Sequence, residues 1–370
     1  MASKKKFSKV LTVLLAILCL VLGCGIGVVG GALYDAIRFE IDETPRVVVE
    51  GEMQIHFLEL GNKYTGDCTY IKAGETDILI DAGSRTSSIG TISEYINQYV
   101  TDGKLEYVIV THAHQDHYAG FTQRDGSLFD LYECGTIIDF SMTGHDYTGA
   151  NMYSRYIDER NAEIEAGATH YTAADLFAEG NTNVFDMGSG ITMKVLESYY
   201  YYNESAHGEN DYSVCTLFTY GDYHYLFTGD LEESGEEKLL ELNPDLPEVT
   251  LYKAGHHGSK TSSSEALLSV ISPEVVCVCC CAGSSEYTDT NANQFPTQQF
   301  IDRVAPYTDK IYVTTLCTDY DKGTFQSMNG NITVVTNNTG WSVVCGSGDD
   351  RILKEWEWFK ENRTTPDAWK

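Results

Sequence analysis

The stretch THAHQDHYAG, residues 111–120, places three histidines and an aspartate within six positions of a chain that holds ten histidines in 370 residues. It follows LEYVIV, an apolar run that reads as a strand leading straight into the cluster. His112 then stands at a strand end, and the residues after it form a loop leading to a short helix. Such a loop lets His112 and His114 turn toward one point while Asp116 and His117 aim at a neighbouring one. Imidazole nitrogens and carboxylate oxygens are what Zn²⁺ accepts. Two such sites side by side can trap a bridging hydroxide and clamp an ester oxygen. The bland alternative is a helix start that happens to be rich in histidine, and four ligand-type residues so close together weigh against it.

Outward from this cluster, strand and helix patterns alternate. MQIHFLEL, CTYIKAG and TDILIDAG are apolar runs separated by glycine-containing turns, and they read as strands of a meander. SSIGTISEYINQYV, residues 87–100, has its apolar residues at helical spacing. Residues 121–190 are the least regular part, with helical pieces near 154–166 and 172–179. ITMKVLES, SVCTLFTYG, YHYLFTGD, EVTLYKAG and EVVCVCCC read as strands, and so do KIYVTTL, NITVVTN and WSVVCGS. EESGEEKLLELN, SSSEALLSVI and FPTQQFIDRVAPY are helices set among them. Strands come first, then helix and strand mixed, then the same again. Two mixed sheets with outer helices, an α/β sandwich of αββα type, fit this order better than one parallel sheet. The domain is expected over 51–347, with a tail at 348–370 that starts as an amphipathic helix.

The N-terminus has another character. Lys4, Lys5, Lys6 and Lys9 precede an uncharged run from Val10 to Leu33, long enough to span a hydrocarbon core as a helix. The lysines before the run, and Asp35 and Glu40 after it, predict a cytoplasmic N-terminus and an extracellular bulk. Residues 1–34 are thus expected to be a single-pass membrane anchor and 35–50 a linker. A cleaved signal peptide is the alternative, and VLGC ending at Cys24 only loosely matches a lipoprotein signal. The formal charge of −29 disfavours broad binding to nucleic acid. It leaves room for an anionic substrate held by cations.

Nine cysteines lie beyond the apolar run, four of them in VVCVCCCAG. Neighbouring strand residues point to opposite faces, which suits small buried side chains better than a closed disulfide set. ESYYYYNES carries four consecutive tyrosines, Tyr199 to Tyr202. In a strand they would put two rings on each face as packing, and a cage for a quaternary ammonium such as choline is the alternative.

HAHQDH resembles the HxHxDH signature of the metallo-β-lactamase superfamily, whose fold is the αββα sandwich, and other elements of that family follow in order. ILIDAGS supplies Asp81 where the family keeps an aspartate supporting the site. YLFTGD supplies Asp230, matching the bridging carboxylate, and LYKAGHHGS supplies His256 and His257. HHGS with a preceding lysine, GDCT at 66–69 and NDYSVCTLFTYG at 210–221 resemble the extracellular domain of ComEC-type competence proteins and bacterial phosphorylcholine esterases. The resemblance implies two divalent cations, Zn²⁺ first and Mn²⁺ as the alternative. His112, His114 and Asp230 would hold one, and Asp116, His117, Asp230 and His256 the other. No third imidazole is expected on the first ion, since His145, His170 and His207 lack convincing context. His257 would then stand beside the pocket as a proton donor to the leaving group, or simply as a supporting residue. Ser259 and Lys260 could grip a phosphate oxygen near a helix start, although a serine before Glu265 is also ordinary capping.

The implied activity is hydrolysis of a phosphate ester, with a metal-bridging hydroxide as nucleophile and Asp116 helping to orient it. The substrate expected is a small molecule or a cell-envelope headgroup. A ComEC-like nuclease acting on DNA is the alternative within that class. A metal-binding surface module without catalysis is the alternative outside it.

Overall fold

The computed structural model describes residues 52–370, so the expected membrane run and linker lie outside the described residues. Among the described residues no helix is long and apolar enough to cross a membrane. β1 (Met53–Phe57), β2 (Thr69–Ala73), β3 (Thr76–Ile80), β4 (Lys104–Val110), β5 (Glu133–Asp139) and β6 (Thr169–Thr172) build one sheet. β7 (Val184–Gly188), β8 (Ile191–Val195), β9 (Thr216–Tyr220) and β10 (Tyr223–Phe227) begin the second. β11 (Leu251–Lys253), β12 (Val275–Ala282), β13 (Ile311–Asp319) and β14 (Thr324–Ser327) complete it. The chain then returns to the first sheet through the hairpin β15 (Ile332–Asn337) and β16 (Gly340–Cys345). Both sheets have eight strands, ordered 16-15-1-2-3-4-5-6 and 14-13-12-11-10-9-8-7. Each combines antiparallel hairpins with a parallel run, β3 to β6 in one and β10 to β13 in the other. The mixed two-sheet sandwich expected from the sequence is what the chain forms.

The sheets meet through apolar rings and branched side chains. Phe57 of β1 faces Phe227 of β10 with ring centroids 6.1 Å apart, and the Tyr225 hydroxyl of β10 donates to Thr336 Oγ1 of β15 at 2.5 Å. β12 is buried at every position, and its alternation explains the cysteine run. Cys277 and Cys279 join the core between the sheets, whereas Val276, Val278 and Cys280 join a second core with helix residues Leu267, Leu268, Phe300 and Phe359. All nine described cysteines are free thiols. Burial pushes the Cys280 thiol up to about 12, which keeps it protonated and inert.

Helices follow the expected pattern. α1 (Ser88–Ile96) buries Ile89, Ile92 and Ile96, the helical spacing that marked it. α2 (Gln115–Tyr118) and α3 (Leu128–Leu131) are short, and α4 (Met152–Ala166) is capped by Asn151. α5 (Glu233–Leu242), α6 (Glu265–Ile271), α7 (Gln298–Val304) and α8 (Glu357–Asn362) lie on the second half. Ser264 caps α6, its hydroxyl accepting from Leu267 N at 3.2 Å, so the capping reading of that serine run holds.

Two expectations need correction. Residues 121–190 contain three strands, of which β5 pairs with β4 over most of its length. The four tyrosines form no strand: residues 199–201 make one 3₁₀ turn, with Tyr201 buried and Tyr199 and Tyr202 exposed. Tyr201 fills a space beneath β9, where its hydroxyl accepts from Cys215 N at 3.0 Å.

Backbone contacts lock the loop after β4 to those around it. Asp67 N donates to Asp116 O at 2.9 Å, Gly83 N to Asp67 O at 2.8 Å and Ala82 N to His117 O at 2.6 Å. A Cβ on Gly83 would lie 1.6 Å from Asp116 O, so no side chain fits there. Gly83→Ala is therefore expected to lower stability by about 3 kcal/mol or more in urea unfolding. An unchanged midpoint would mean that the loop carrying Asp116 is not held by this approach.

Candidate metal centre

The ends of five strands or their loops bring the polar residues together. Asp67 precedes β2, Asp81 follows β3, His112 to His117 follow β4, Asp230 follows β10, and Lys253 closes β11 before GHHG. Asp81 has a left-handed backbone, φ 59°, which aims its carboxylate back at the β4 loop. There it accepts from Thr111 N at 2.8 Å and Thr111 Oγ1 at 2.7 Å, and faces His117 Nδ1 at 2.7 Å. That fixes the His117 ring with Nε2 inward, 3.1 Å from Asp230 Oδ2. His257 is held alike: Nδ1 lies 2.9 Å from Cys279 O and 3.1 Å from Asp67 Oδ1. Its Nε2 is 3.2 Å from Asp230 Oδ2 and 3.4 Å from Asp116 Oδ2. His112 Nδ1 has Ser213 Oγ at 3.4 Å and Thr111 Oγ1 at 3.2 Å, while its Nε2 is 3.1 Å from His114 Nδ1.

Cations fit this arrangement. Buried His117 Nε2 and His257 Nε2 face only carboxylate oxygens at 3.1–3.4 Å without a well-aligned hydrogen bond, and Asp230 Oδ1 has only Lys253 Nζ at 3.7 Å, a shortfall that buried polar atoms rarely tolerate. Asp67, His117, Asp230 and His257 each offer a ligand atom, all within 4.8 Å of one another. Asp67 is the weakest of these four, because its Oδ2 is already paired with the buried Lys253 ammonium. Its other oxygen orients His257, the usual task of a carboxylate behind a ligating imidazole. Asp116, whose Oδ2 accepts from the Tyr287 hydroxyl at 2.6 Å, is better placed as a ligand.

Charge explains the titration behaviour. Burial favours neutral His117 and His257, but Asp230 with Asp81, and Asp230 with Asp67, hold these imidazoles well above their usual range. Burial would raise the Asp230 carboxyl, and His117 and His257 overcome it to hold the group well below. His112 and His114 are pushed down by burial first, which favours neutral rings.

Residues 61–124 and 203–282 match the family model described as the metallo-beta-lactamase superfamily. The chain carries a metallo-beta-lactamase superfamily domain. Recombination protein 2 of Haemophilus influenzae is 33% identical over 89 residues, 24% of this chain and 10% of that protein. Competence protein ComA of Neisseria gonorrhoeae is 34% identical over 108 residues, 29% of this chain and 15% of that protein. ComE operon protein 3 of Bacillus subtilis is 30% identical over 70 residues, 19% of this chain and 9% of that protein. The chain thus spans only a small part of these relatives' length. Among solved structures, the metallo-beta-lactamase fold protein YhfI from Bacillus subtilis is 11% identical with a TM-score of 0.41, covering 74% of this chain and 99% of that one. At those values the likeness carries no weight in the assignment.

Within this superfamily domain, His112, His114, Asp116, His117 and Asp230 come together, with Asp81 behind them. The adjacent histidines take places opposite to those expected. Both have left-handed backbones, φ 46° and 54°, which turn His257 inward and His256 toward Thr261 Oγ1 at 3.1 Å and Glu232 Oε1 at 3.4 Å. Ser259 Oγ pairs with Thr261 Oγ1, and Lys260 reaches Asn293 Oδ1 at 3.0 Å; neither lines the pocket. His145, His170 and His207 do not line it either, and His170 is paired with Asp139. Asp67 and Lys253 lie within GDCT and LYKAGHHGS, but their pairing across the site comes only from the fold, and Tyr287 lies in no motif.

Two outcomes are expected from metal analysis of the purified chain. His257→Ala should lose at least half of its bound metal while His256→Ala retains it; the reverse result would restore His256 as the ligand. Metal must also displace protons from His117 and His257, which hold them to higher pH than ordinary imidazoles. Bound metal in an equilibrium dialysis series should therefore fall as pH falls, beginning above the ordinary imidazole value of about 6.5. Retention that stays flat down to about pH 5 would contradict this competition.

Proposed function

We propose that the chain is a hydrolase of phosphate esters working with two divalent cations, Zn²⁺ or Mn²⁺. The observation that carries this reading is the convergence of three buried ligand atoms that lack a well-formed hydrogen bond, His117 Nε2, His257 Nε2 and Asp230 Oδ1, beside an open pocket. His112, His114 and Asp230 would hold one cation, and Asp116, His117, Asp230 and His257 the other. Bound there, the pair would supply Lewis acidity and an activated water for attack on the ester.

The chain's own residues do the positioning. Asp81 fixes His117, Asp67 with Cys279 O fixes His257, and Thr111 with Ser213 fixes His112. Lys253 neutralises Asp67 and lies 3.7 Å from Asp230 Oδ1, limiting the excess negative charge that would repel an anionic ester. His256 lines the pocket with its Nδ1 beside Glu232 and Thr261. It occupies the place that the sequence suggests for His257, that of an imidazole able to pass a proton to the leaving oxygen. Membrane attachment through residues 10–33, with this domain outside the cell, belongs to the same reading and rests on the sequence alone, on that uncharged run and the charges flanking it.

A nuclease is the second reading. It is favoured by the recombination and competence proteins that share this segment, and by the cation–ring pairs Arg85 over Tyr64 and Lys63 over Tyr320 near the pocket. The experiment is metal content and turnover of bis(p-nitrophenyl) phosphate by the full chain and by a His114→Ala, Asp116→Ala double variant. Two cations per chain, with turnover reduced at least ~100-fold in the variant, are expected. Metal bound without turnover of this or any other ester would replace the hydrolase by a non-catalytic surface module.

A further inference from the structure

The pocket beside the metal centre, a cavity of about 380 Å³, is lined by Arg85, Gln115, Glu286 and Tyr287 together with His114, Asp116, Asp230 and His256. Among these, Arg85 is the one side chain with a fixed positive charge. Its guanidinium is held on several sides. It lies over the Tyr64 ring, 4.0 Å from the centroid, and its Nη1 donates to Ser84 O at 2.6 Å. With the Gln115 amide oxygen turned toward it, that oxygen accepts from Nε at 3.1 Å and Nη1 at 2.9 Å. Nη2 donates to Glu286 Oε1 at 2.8 Å. A guanidinium has five N–H groups, and these contacts leave one on Nη2 unused.

The ion pair is lopsided. The Arg85 side chain is 30% exposed and Glu286 only 6%. The other Glu286 oxygen accepts from Thr65 N at 2.8 Å, so the carboxylate keeps a backbone donor when the arginine turns to another anion. A planar cation fixed on a ring, with an N–H to spare and open toward the pocket, has the geometry that reads a carboxylate or a phosphate.

We propose that Arg85 is a specificity residue that binds a second anionic group of the substrate, a phosphate or a carboxylate lying beyond the ester being cleaved. The proposal rests on the phosphoesterase reading above. It makes Glu286 a competitor for the same guanidinium, so that the two residues act in opposite directions on substrate binding. In a mere brace they would act in the same direction.

The test uses the metal-loaded full chain and three p-nitrophenyl phosphodiesters whose second arm ends in a methyl, a carboxylate or a phosphate. The unmodified chain should have the lowest KM for one or both anionic arms, and the better of the two identifies the group. Arg85→Gln should raise that KM roughly tenfold more than it raises the KM of the methyl-armed ester. Glu286→Gln should lower it. Equal effects of Arg85→Gln on all three esters, or a rise in KM in Glu286→Gln, would overturn the proposal in favour of a brace. Thermal melting of both variants shows whether each folds; if Arg85→Gln does not, the direction of the Glu286→Gln effect decides alone. Turnover without any arm preference defeats this inference and leaves the hydrolase intact. Turnover of none of the three by the unmodified chain defeats both.

Discussion

Burying several carboxylates in one small volume is the constraint around which this end of the sandwich is built. Asp67, Asp81 and Asp230 are at most 3% exposed, Asp116 stands beside them, and among the described residues Lys253 is the one ammonium paired with them. A buried charge left without a partner costs several kcal/mol. The fold meets that cost residue by residue. Asp81 takes both Thr111 donors and His117, Asp67 takes Lys253, and Asp230 is faced by His117, His257 and Lys253. Even so, the imidazoles can balance the rest only by holding protons. Divalent cations would relieve the same excess and would free those imidazoles to ligate. The arrangement is costly as a structural core and coherent as a cation site.

Much of this could be read from the sequence, and for definite reasons. His112, His114, Asp116 and His117 are close in the chain, so their proximity needs no tertiary information. Asp81 and Asp230 each end an apolar strand, where a polar residue is conspicuous. The choice between His256 and His257 was not legible, because it depends on two successive left-handed residues that reverse which ring faces inward. Asp67 and Lys253 were hidden for another reason. One lies in a loop and the other ends a strand of the opposite sheet, and only the closing of the sandwich pairs them.

The fold follows the same division. Strands buried on both faces, such as β12, announce themselves as continuous apolar runs. β6, β7 and β14 are short, partly exposed strands at the sheet edges, and their mixed composition gives no such signal. Tyr199 to Tyr202 misled in the opposite way: aromatic residues favour strands, but a single turn there suffices to bury Tyr201 and leave its neighbours in water.

The hairpin β15–β16 has a consequence in time. Met53 of β1 pairs with Thr336 of β15, and Phe57 with Ile332, so the first strand of the domain is flanked by nearly the last. Contacts that far apart in the chain form slowly, because a long loop must close before they return any stability. During synthesis β1 has β2 on one side and an open edge on the other until residue 337 has emerged. The loops that carry Asp81 and the histidines rest on that same sheet. The loops of the candidate cation site therefore gain their full support only after β15 has closed the open edge of β1.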